Sequence, residues 1–235
     1  MTQHIHFKIT SLFNKIVSKV KSFAIKSTFR GSSDYWNERY LSGGNSGPGS
    51  YNKLAEFKAA VLNDFVKNNG INTVIEWGCG DGNQLSLATY PFYLGIDVSE
   101  QAIAMCINKF ENDDSKRFTT VINYAGDKAE LAISLDVIYH LIEDDLFQSY
   151  MISLFDSAKS FVIVYSSDKE EEINSKYSHV RHRQFTNWVN HNIKDWELIN
   201  SIPNKYPFND NIQEGSFADF YIYKKLSNNK LNDIT

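Results

Sequence analysis

Residues 74–84 read Val-Ile-Glu-Trp-Gly-Cys-Gly-Asp-Gly-Asn-Gln, and this stretch decides the fold. It begins with a short, mainly apolar run that is typical of a buried strand. Glycine then stands at every second position, at 78, 80 and 82. Glycine adopts positive φ angles readily and lets the backbone approach a ligand closely. A buried strand that ends in such a turn predicts a cofactor site at the carboxyl end of a parallel sheet.

Short β-branched runs alternate with helical patterns around this stretch. The predicted strands are 74–77, 92–96, 118–122, 131–137 and 161–165. Strands that alternate with helices predict a parallel sheet covered on both faces.

Three helices are predicted, one before the first strand and two between later strands. Ser50 and Ser99 are expected to cap two of them, and the asparagine-asparagine-glycine run at 68–70 ends the first. A third helix carries apolar residues at 146, 150 and 154.

The last two predicted strands, 196–202 and 217–223, alternate apolar with polar residues and are joined by a turn-rich connector. This pattern is typical of an antiparallel hairpin. The predicted fold class is therefore α/β, a doubly wound, mostly parallel sheet of seven strands with an antiparallel hairpin at its edge.

Composition limits the class of protein. The chain has 235 residues, 42% of them hydrophobic, which is enough for one domain with a packed core. Cys79 and Cys106 are the only cysteines, so a disulfide framework is excluded. We find no apolar run long enough to span a bilayer and no secretory signal pattern. The sequence therefore predicts a cytoplasmic protein.

Charge is distributed unevenly along the chain. Residues 1–33 contain six lysines and arginines and no acid, so this segment is +6 and the remainder −10, for a total of −4. Apolar residues at helical spacing over 9–24 predict an amphipathic helix. This helix lies either on an anionic membrane surface, as a peripheral contact, or on the protein's own body or a second subunit. The net acidity of the remainder argues against a nucleic-acid partner.

Three segments are predicted from these patterns. Residues 1–33 form the basic helix, residues 34–225 form the folded domain, and residues 226–235 form a flexible tail.

The charges around the glycine turn indicate which cofactor it suits. Asp97 ends the next strand, 19 positions after Gly78, where a carboxylate can accept hydrogen bonds from ribose hydroxyls. Glu76 precedes the glycines and Asp81 stands between Gly80 and Gly82, and two carboxylates would repel a pyrophosphate. The glycine spacing also differs from the dinucleotide pattern. S-adenosylmethionine, which has an ammonium and a sulfonium and no phosphate, fits better than NAD(P).

The same residues resemble the motifs of class I S-adenosylmethionine-dependent methyltransferases. The match comprises the E-x-G-C-G-x-G pattern at 76–82, the acid Asp97, and the Leu-Asp-Val-Ile-Tyr-His run at 135–140. It extends over about 34–225 and implies a Rossmann-like methyltransferase fold. Residues 35–40, 46–50 and 135–144 are also similar to methyltransferases encoded in bacterial surface-polysaccharide (capsule or lipopolysaccharide) gene clusters.

The resemblance implies a role for each cofactor-binding residue. Glu76 and the turn at 78–80 would hold the methionine part, Asp97 the ribose, and Val98 the adenine. Gln84 would begin the first helix after the turn, and Asp127 would reach the adenine amino group unless it is only a turn residue. The cofactor-binding set is thus Trp36, Arg39, Glu76, Gly78, Cys79, Gly80, Gln84, Asp97, Val98 and Asp127, in which Trp36 is either a cover over the cofactor or a core aromatic.

Methyl transfer to a hydroxyl also needs a base. His140, just beyond the predicted fourth strand, is the candidate, because imidazole titrates near neutral pH; a histidine satisfied by a local hydrogen bond is the alternative. Tyr139 is expected to form a pocket wall. No metal site is predicted, because His140, His179, His182 and Glu143 lack a tight ligand spacing.

Two further segments bear on the acceptor. The basic segment at 179–183, His-Val-Arg-His-Arg, suits a phosphorylated sugar, a nucleotide-sugar or an acidic glycan; otherwise it is a solvated turn that balances the acids at 170–172. The Gly/Ser loop at 42–50 is either a lid or a linker. The expected acceptor-binding residues are Ser46, Ser50, Tyr139, His179, Arg181, His182 and Arg183.

The sequence therefore predicts a methyltransferase that O-methylates a sugar, a sugar phosphate or a related surface-polysaccharide precursor. Two alternatives stay open: an NAD(P)-dependent oxidoreductase, and a partner subunit that binds the cofactor without turnover. An RNA methyltransferase is less compatible with the acidic body.

Overall fold

A mixed seven-stranded sheet organises the chain, and it confirms the predicted fold class. The computed structural model describes residues 31–170 and 179–227. The sheet order is β3-β2-β1-β4-β5-β7-β6. The first five strands pair in parallel, and β7 is antiparallel to both β5 and β6. The strands are β1 (Thr73–Trp77), β2 (Phe92–Asp97), β3 (Lys116–Thr120), β4 (Ala129–Leu135), β5 (Ala158–Ser166), β6 (Trp196–Ile202) and β7 (Asp219–Lys225).

Helices cover both faces of this sheet. The α-helices are α1 (Ser32–Leu41), α2 (Asn52–Asn68), α3 (Glu100–Lys109), α4 (Asp144–Asp156) and α5 (Phe185–Asn192). Side chains alternate between the two faces of a strand. Ile75 accordingly belongs to the core cluster with Met151 of α4, whereas Val74 belongs to the cluster with Leu62 of α2 and Ile103 of α3. None of the described helices is long and apolar enough to cross a bilayer.

Several predicted boundaries are shifted by two residues. The third strand ends at Thr120, because residues 121–122 are exposed and leave the sheet. The fourth ends at Leu135, because Asp136 turns the chain with a φ of 61°. The last strand runs over 219–225 instead of 217–223.

The predicted helix starts are partly right. Ser99 caps α3 by accepting a hydrogen bond from the Ala102 amide at 3.3 Å. Ser50 is not a cap, because it lies in a short 3-10 turn, and Tyr51 directly precedes α2. That helix ends at Asn68, as predicted.

The predicted helix after the glycine turn is wrong. Only a 3-10 turn, Leu85–Leu87, follows Gln84. Pro91 and the start of β2 at Phe92 leave room for about two turns of helix, and the residue before a proline disfavours helical backbone.

Two helices were not predicted from the sequence. One is α1, which has little apolar periodicity, and the other is α5. α1 begins at Ser32, just before the predicted start of the domain at 34. The predicted amphipathic helix at 9–24 and nearly all of the predicted tail lie outside the described residues.

Candidate functional site

The carboxyl ends of β1, β2 and β4 border one cavity of about 230 Å³. This is the edge of an open parallel sheet at which ligands bind. The structure brings eleven of the predicted site residues to its wall: Trp36, Ser46, Ser50, Glu76, Gly78, Cys79, Gly80, Gln84, Asp97, Val98 and His140. It leaves seven off the wall: Arg39, Asp127, Tyr139, His179, Arg181, His182 and Arg183.

The glycine turn is shaped by its lack of side chains. Gly78 and Gly80 have φ angles of 81° and 58°. A Cβ atom on Gly78 would overlap Val137, and one on Gly80 would overlap Ser46. The amide of Gly78 donates to the Ile96 carbonyl at 2.7 Å, which ties the turn to β2. The turn can therefore be built only with glycine at these two positions.

Two of the three carboxyl groups on the cavity wall belong to β1 and β2. Glu76 is buried, and its Oε2 accepts a hydrogen bond from the Tyr93 hydroxyl at 2.6 Å. Burial raises the pKa of Glu76 to about 7. Asp97 accepts from the amides of Gly80 and Ser99, each at 2.9 Å, and burial raises its pKa as well. A carboxylate accepts about four hydrogen bonds, so Asp97 keeps capacity for a ligand.

Asp81 does not act as the sequence suggested. It is buried but is not on the cavity wall. Its carboxylate accepts from the Ser46 amide at 2.9 Å, the Tyr51 hydroxyl at 2.7 Å and the Asn83 amide at 3.0 Å. Asp81 therefore anchors the Gly/Ser loop, and the carboxyl groups on the cavity wall are those of Glu76, Asp97 and Asp136 instead.

The Gly/Ser loop lies on the glycine turn, where a lid would lie. The Ser46 hydroxyl accepts from the Asp81 amide at 3.0 Å and is 2.9 Å from the Tyr40 hydroxyl. Arg39 donates to the Asn45 carbonyl and packs over the ring of Trp36 at 5.5 Å. Arg39 thus fixes the loop and is not in the cavity wall, contrary to its predicted contact with the cofactor.

His140 is held in one tautomer. Its Nδ1 lies 2.9 Å from the His179 carbonyl oxygen. A carbonyl only accepts, so Nδ1 carries the proton and Nε2 has the free lone pair. Burial lowers the pKa of His140 to about 4, so the ring is neutral at pH 7. The ring of Trp36 packs against it edge-on, with 5.0 Å between centroids.

A buried ion pair that was not predicted from the sequence lies on the cavity wall. The Lys58 ammonium is 2.6 Å from Oδ2 of Asp136, and Lys58 is fully buried. Oδ1 of Asp136 accepts from the Tyr139 hydroxyl at 2.8 Å, so Tyr139 lies one hydrogen bond behind the wall. One signal was available: Lys58 is four residues after Leu54 and four before Leu62, on the apolar face of α2.

The arginines of the basic segment have internal partners. Arg181 donates to the Ile142 carbonyl at 2.9 Å and pairs with Asp144 at 2.9 Å. Arg183 donates to the carbonyls of Leu141 and Ile142 and pairs with Asp144 at 3.1 Å. Both guanidinium groups therefore already donate to groups within the protein, which leaves them less capacity for an acceptor anion than the sequence predicted. The predicted balance with the acids at 170–172 lies partly outside the described residues.

The two histidines of this segment also pack internally. Nδ1 of His182 is 2.6 Å from the Ser167 hydroxyl. His179 stacks on Tyr35 at 4.6 Å and on His140 at 5.5 Å between centroids.

Asp127 lies at the other edge of the sheet. It precedes β4 by two residues, so it belongs to the amino ends of the parallel strands. It is exposed, and its Oδ1 is 3.6 Å from the Arg117 guanidinium. The structure does not bring it to the cavity that was predicted to hold the adenine.

Comparisons with known proteins place this fold. No protein-family model matches the chain, and no curated protein matches its sequence. Solved structures do match. The N-methyltransferase NodS from Bradyrhizobium japonicum WM9, in complex with S-adenosyl-L-homocysteine, is 12% identical with a TM-score of 0.64, and the match covers 84% of this chain and 100% of that one.

Two further structures agree. The methyltransferase domain of bacterial CtHen1 is 18% identical with a TM-score of 0.59, covering 74% of this chain and 100% of that one. Magnesium protoporphyrin IX methyltransferase ChlM from Synechocystis PCC 6803, with bound S-adenosylmethionine, is 15% identical with a TM-score of 0.55, covering 72% and 79%. The chain therefore has the α/β fold of these three methyltransferases.

Proposed function

We propose that the chain is an S-adenosylmethionine-dependent methyltransferase that methylates a hydroxyl of a small polyhydroxylated acceptor such as a sugar. One observation carries the proposal. Glu76, Asp97 and the neutral imidazole of His140 face the same cavity at the carboxyl ends of β1, β2 and β4.

The residues present fit the cofactor. Glu76 would hold its ammonium group, and Asp97 would accept from its ribose hydroxyls. Val98 and Val121 supply apolar wall for the adenine. Gln84 adds a buried Oε1 atom without a hydrogen-bond partner among the described residues. When bound, the cofactor supplies an activated methyl group on a sulfonium centre.

A dinucleotide fits less well. Its pyrophosphate would need the N-terminus of a helix directly after the glycine turn, and only the 3-10 turn Leu85–Leu87 is there. The Glu76 carboxylate would also repel it. These two features argue against the NAD(P)-dependent oxidoreductase.

His140 would take the proton of the acceptor hydroxyl at Nε2. The His179 carbonyl fixes the ring with that nitrogen unprotonated, and burial keeps the ring neutral at pH 7. The aromatic ring of Trp36, also on the wall, suits the C–H face of a sugar. A phosphate on the acceptor has no support from Arg181 and Arg183, because both pair with Asp144. The link to surface polysaccharides rests on the sequence resemblance and stays a prediction.

Calorimetry with S-adenosylmethionine and with NAD tests the cofactor. We expect the first to bind and the second not to bind. Binding of NAD alone, or of neither, would overturn the proposal.

Transfer of labelled methyl to a panel of sugars and nucleotide-sugars tests the reaction. His140→Gln should keep cofactor binding and lose transfer by about 100-fold. The matched control is His191→Gln, on the exposed end of α5, which should change neither. Wild-type rates in His140→Gln would remove His140 as the base, and cofactor binding without transfer by the wild type would favour the non-catalytic subunit.

A further inference from the structure

Two polar side chains on the cavity wall have unused hydrogen-bonding capacity. The Lys58 ammonium has three N–H donors, and within the described chain its hydrogen-bond partner is Asp136. The ring of Tyr165 lies 5.3 Å from the same nitrogen. Gln84 donates from Nε2 to the Ala55 carbonyl at 3.1 Å, while its Oε1 is buried without a partner among the described residues.

Helix α2 carries Lys58 and the main-chain anchor of the Gln84 amide less than one turn apart. Ala55, which anchors the Gln84 amide, is three residues before Lys58. Residues three apart lie on the same face of a helix, about 4.5 Å along its axis. Glu76 is close as well, since the Lys58 charge partly offsets the burial that raises the pKa of Glu76. One wall therefore presents the ion pair of Lys58 and Asp136, a neutral acceptor on Gln84 and the carboxyl group of Glu76.

Unused donors and acceptors are expensive in the interior. A buried polar atom without a partner costs free energy, and a charged one costs more. Lys58 is fully buried and Gln84 is 7% exposed, so bulk water does not complete their hydrogen bonds. A ligand that carries a carboxylate beside an ammonium would complete both, because the carboxylate accepts from Lys58 and the ammonium donates to Gln84 and Glu76.

We propose that Lys58 and Gln84 form the subsite for the α-amino-acid end of the cofactor. Lys58 binds its carboxylate, and Oε1 of Gln84 accepts from its ammonium beside Glu76. Asp136 keeps the Lys58 ammonium on this wall. The inference deepens the proposed function and rests on it. It predicts that the protein discriminates against nucleosides that lack the carboxylate.

The test compares S-adenosylmethionine with decarboxylated S-adenosylmethionine, which keeps the amine and the sulfonium. Calorimetry on the wild-type protein should give about tenfold tighter binding of the intact compound, the usual size of one charge-assisted contact. Lys58→Met should weaken the intact compound about tenfold and leave the decarboxylated one within about twofold. The matched control is Lys53→Met on the exposed side of α2, where Lys53 pairs with Glu214; it should keep the wild-type preference.

A second pair of probes tests Gln84. Gln84→Leu should weaken both amine-bearing compounds and leave 5′-methylthioadenosine, which lacks the whole amino-acid end, unchanged. Lys58→Met leaves Asp136 without its partner and could unfold for that reason alone. In that case the double variant K58M/D136N, which removes both charges, takes the place of the single variant in the test.

The outcomes separate this inference from the proposed function. If the wild type binds none of the three nucleosides, the proposed function fails. If it binds them without preference, or if Lys58→Met keeps the preference, Lys58 does not bind the carboxylate. If Gln84→Leu weakens 5′-methylthioadenosine as much as the others, Gln84 does not contact the ammonium.

Discussion

The glycine turn at 78–82 and the basic segment at 179–183 lie near the same edge of the sheet and use their polar groups in opposite ways. Around the turn, Glu76 and Asp97 keep accepting capacity directed at a cavity. In the basic segment, the guanidinium groups of Arg181 and Arg183 donate to main-chain carbonyls and to Asp144. A charged group close to a strand end is thus available to a ligand only where its neighbours leave it hydrogen-bonding capacity, as they do for Asp97.

The basic segment still contributes to the site, through its backbone. The His179 carbonyl fixes the tautomer of His140, and the two arginines hold the carbonyls at 141–142, directly after His140. The turn therefore borders the cavity directly, and the basic segment positions His140 on the cavity wall.

The largest effect is expected from a substitution that disrupts the glycine turn. Gly78→Ala places a Cβ against Val137 at a φ of 81°, so we expect a loss of about 3 kcal/mol of stability from overpacking and left-handed strain together. Cofactor affinity should fall at least about 100-fold. Gly126→Ala is the matched control, since its φ is 87° and its Cβ meets open space; it should cost about 1 kcal/mol and leave affinity unchanged. Urea unfolding measures the stability of each variant, and calorimetry measures its affinity for the cofactor. Equal affinities in the two variants would contradict a role of the glycine turn in binding the cofactor.

His140 should make the fold sensitive to acid. Its pKa falls from 6.5 to about 4 on folding, so its contribution is complete above pH 6.5 and is lost as the pH falls toward 4. The loss amounts to about 3 kcal/mol. The stability difference between wild type and His140→Gln should shrink by that amount between pH 7 and 4, measured by urea unfolding. The stability of His191→Gln should depend on pH in the same way as that of the wild type. The same pH dependence in His140→Gln would contradict the claim that burial lowers the pKa of His140.

Glu76 should show the opposite sign. Its pKa rises from 4.5 to about 7 on folding, so stability is lost as the pH rises through this window. Glu76→Gln keeps an acceptor for Tyr93 and removes the buried charge. It should be more stable than wild type by about 2 kcal/mol at pH 8, show less advantage at pH 5, and bind the cofactor at least about tenfold more weakly. A variant that is stabilised and binds normally would show that Glu76 is only a structural acid.

Arg183 tests the other side of the comparison. Arg183→Met removes donors to two carbonyls and to Asp144, so we expect a loss of about 1–2 kcal/mol in stability with cofactor affinity within about twofold. Arg117→Met, which removes an exposed partner of Asp127, should cost less than about 0.5 kcal/mol. Inorganic phosphate should not stabilise the wild type thermally. Thermal stabilisation of the wild type by phosphate that is lost in Arg183→Met would support the predicted anion site at 179–183.

The same contrast explains what the sequence could predict. Gly78, Gly80 and Asp97 follow from local spacing, since strand ends and turns are encoded by adjacent residues. The partner of Arg183 is 39 positions earlier in the chain, at Asp144, and the partner of Lys58 is 78 positions later, at Asp136. Such pairs form only when the sheet brings distant segments together. Residue type alone therefore suggested an anion site at Arg183, and it suggested nothing at Lys58.

The smallest expected effect comes from Asp127. Asp127 lies in the loop after β3, but it stands two residues before β4 begins at Ala129, which places it at the amino-end edge of the sheet. Asp127→Asn should leave cofactor affinity within about twofold. The carboxylate of Asp97, in contrast, lies on the cavity wall. Asp97→Asn should lower cofactor affinity at least about tenfold, because a neutral amide is a weaker acceptor for two hydroxyls. Equal losses in the two variants would mean that the ribose and adenine contacts do not lie at the ends of β1 and β2, and the comparison between turn and basic segment would lose its basis.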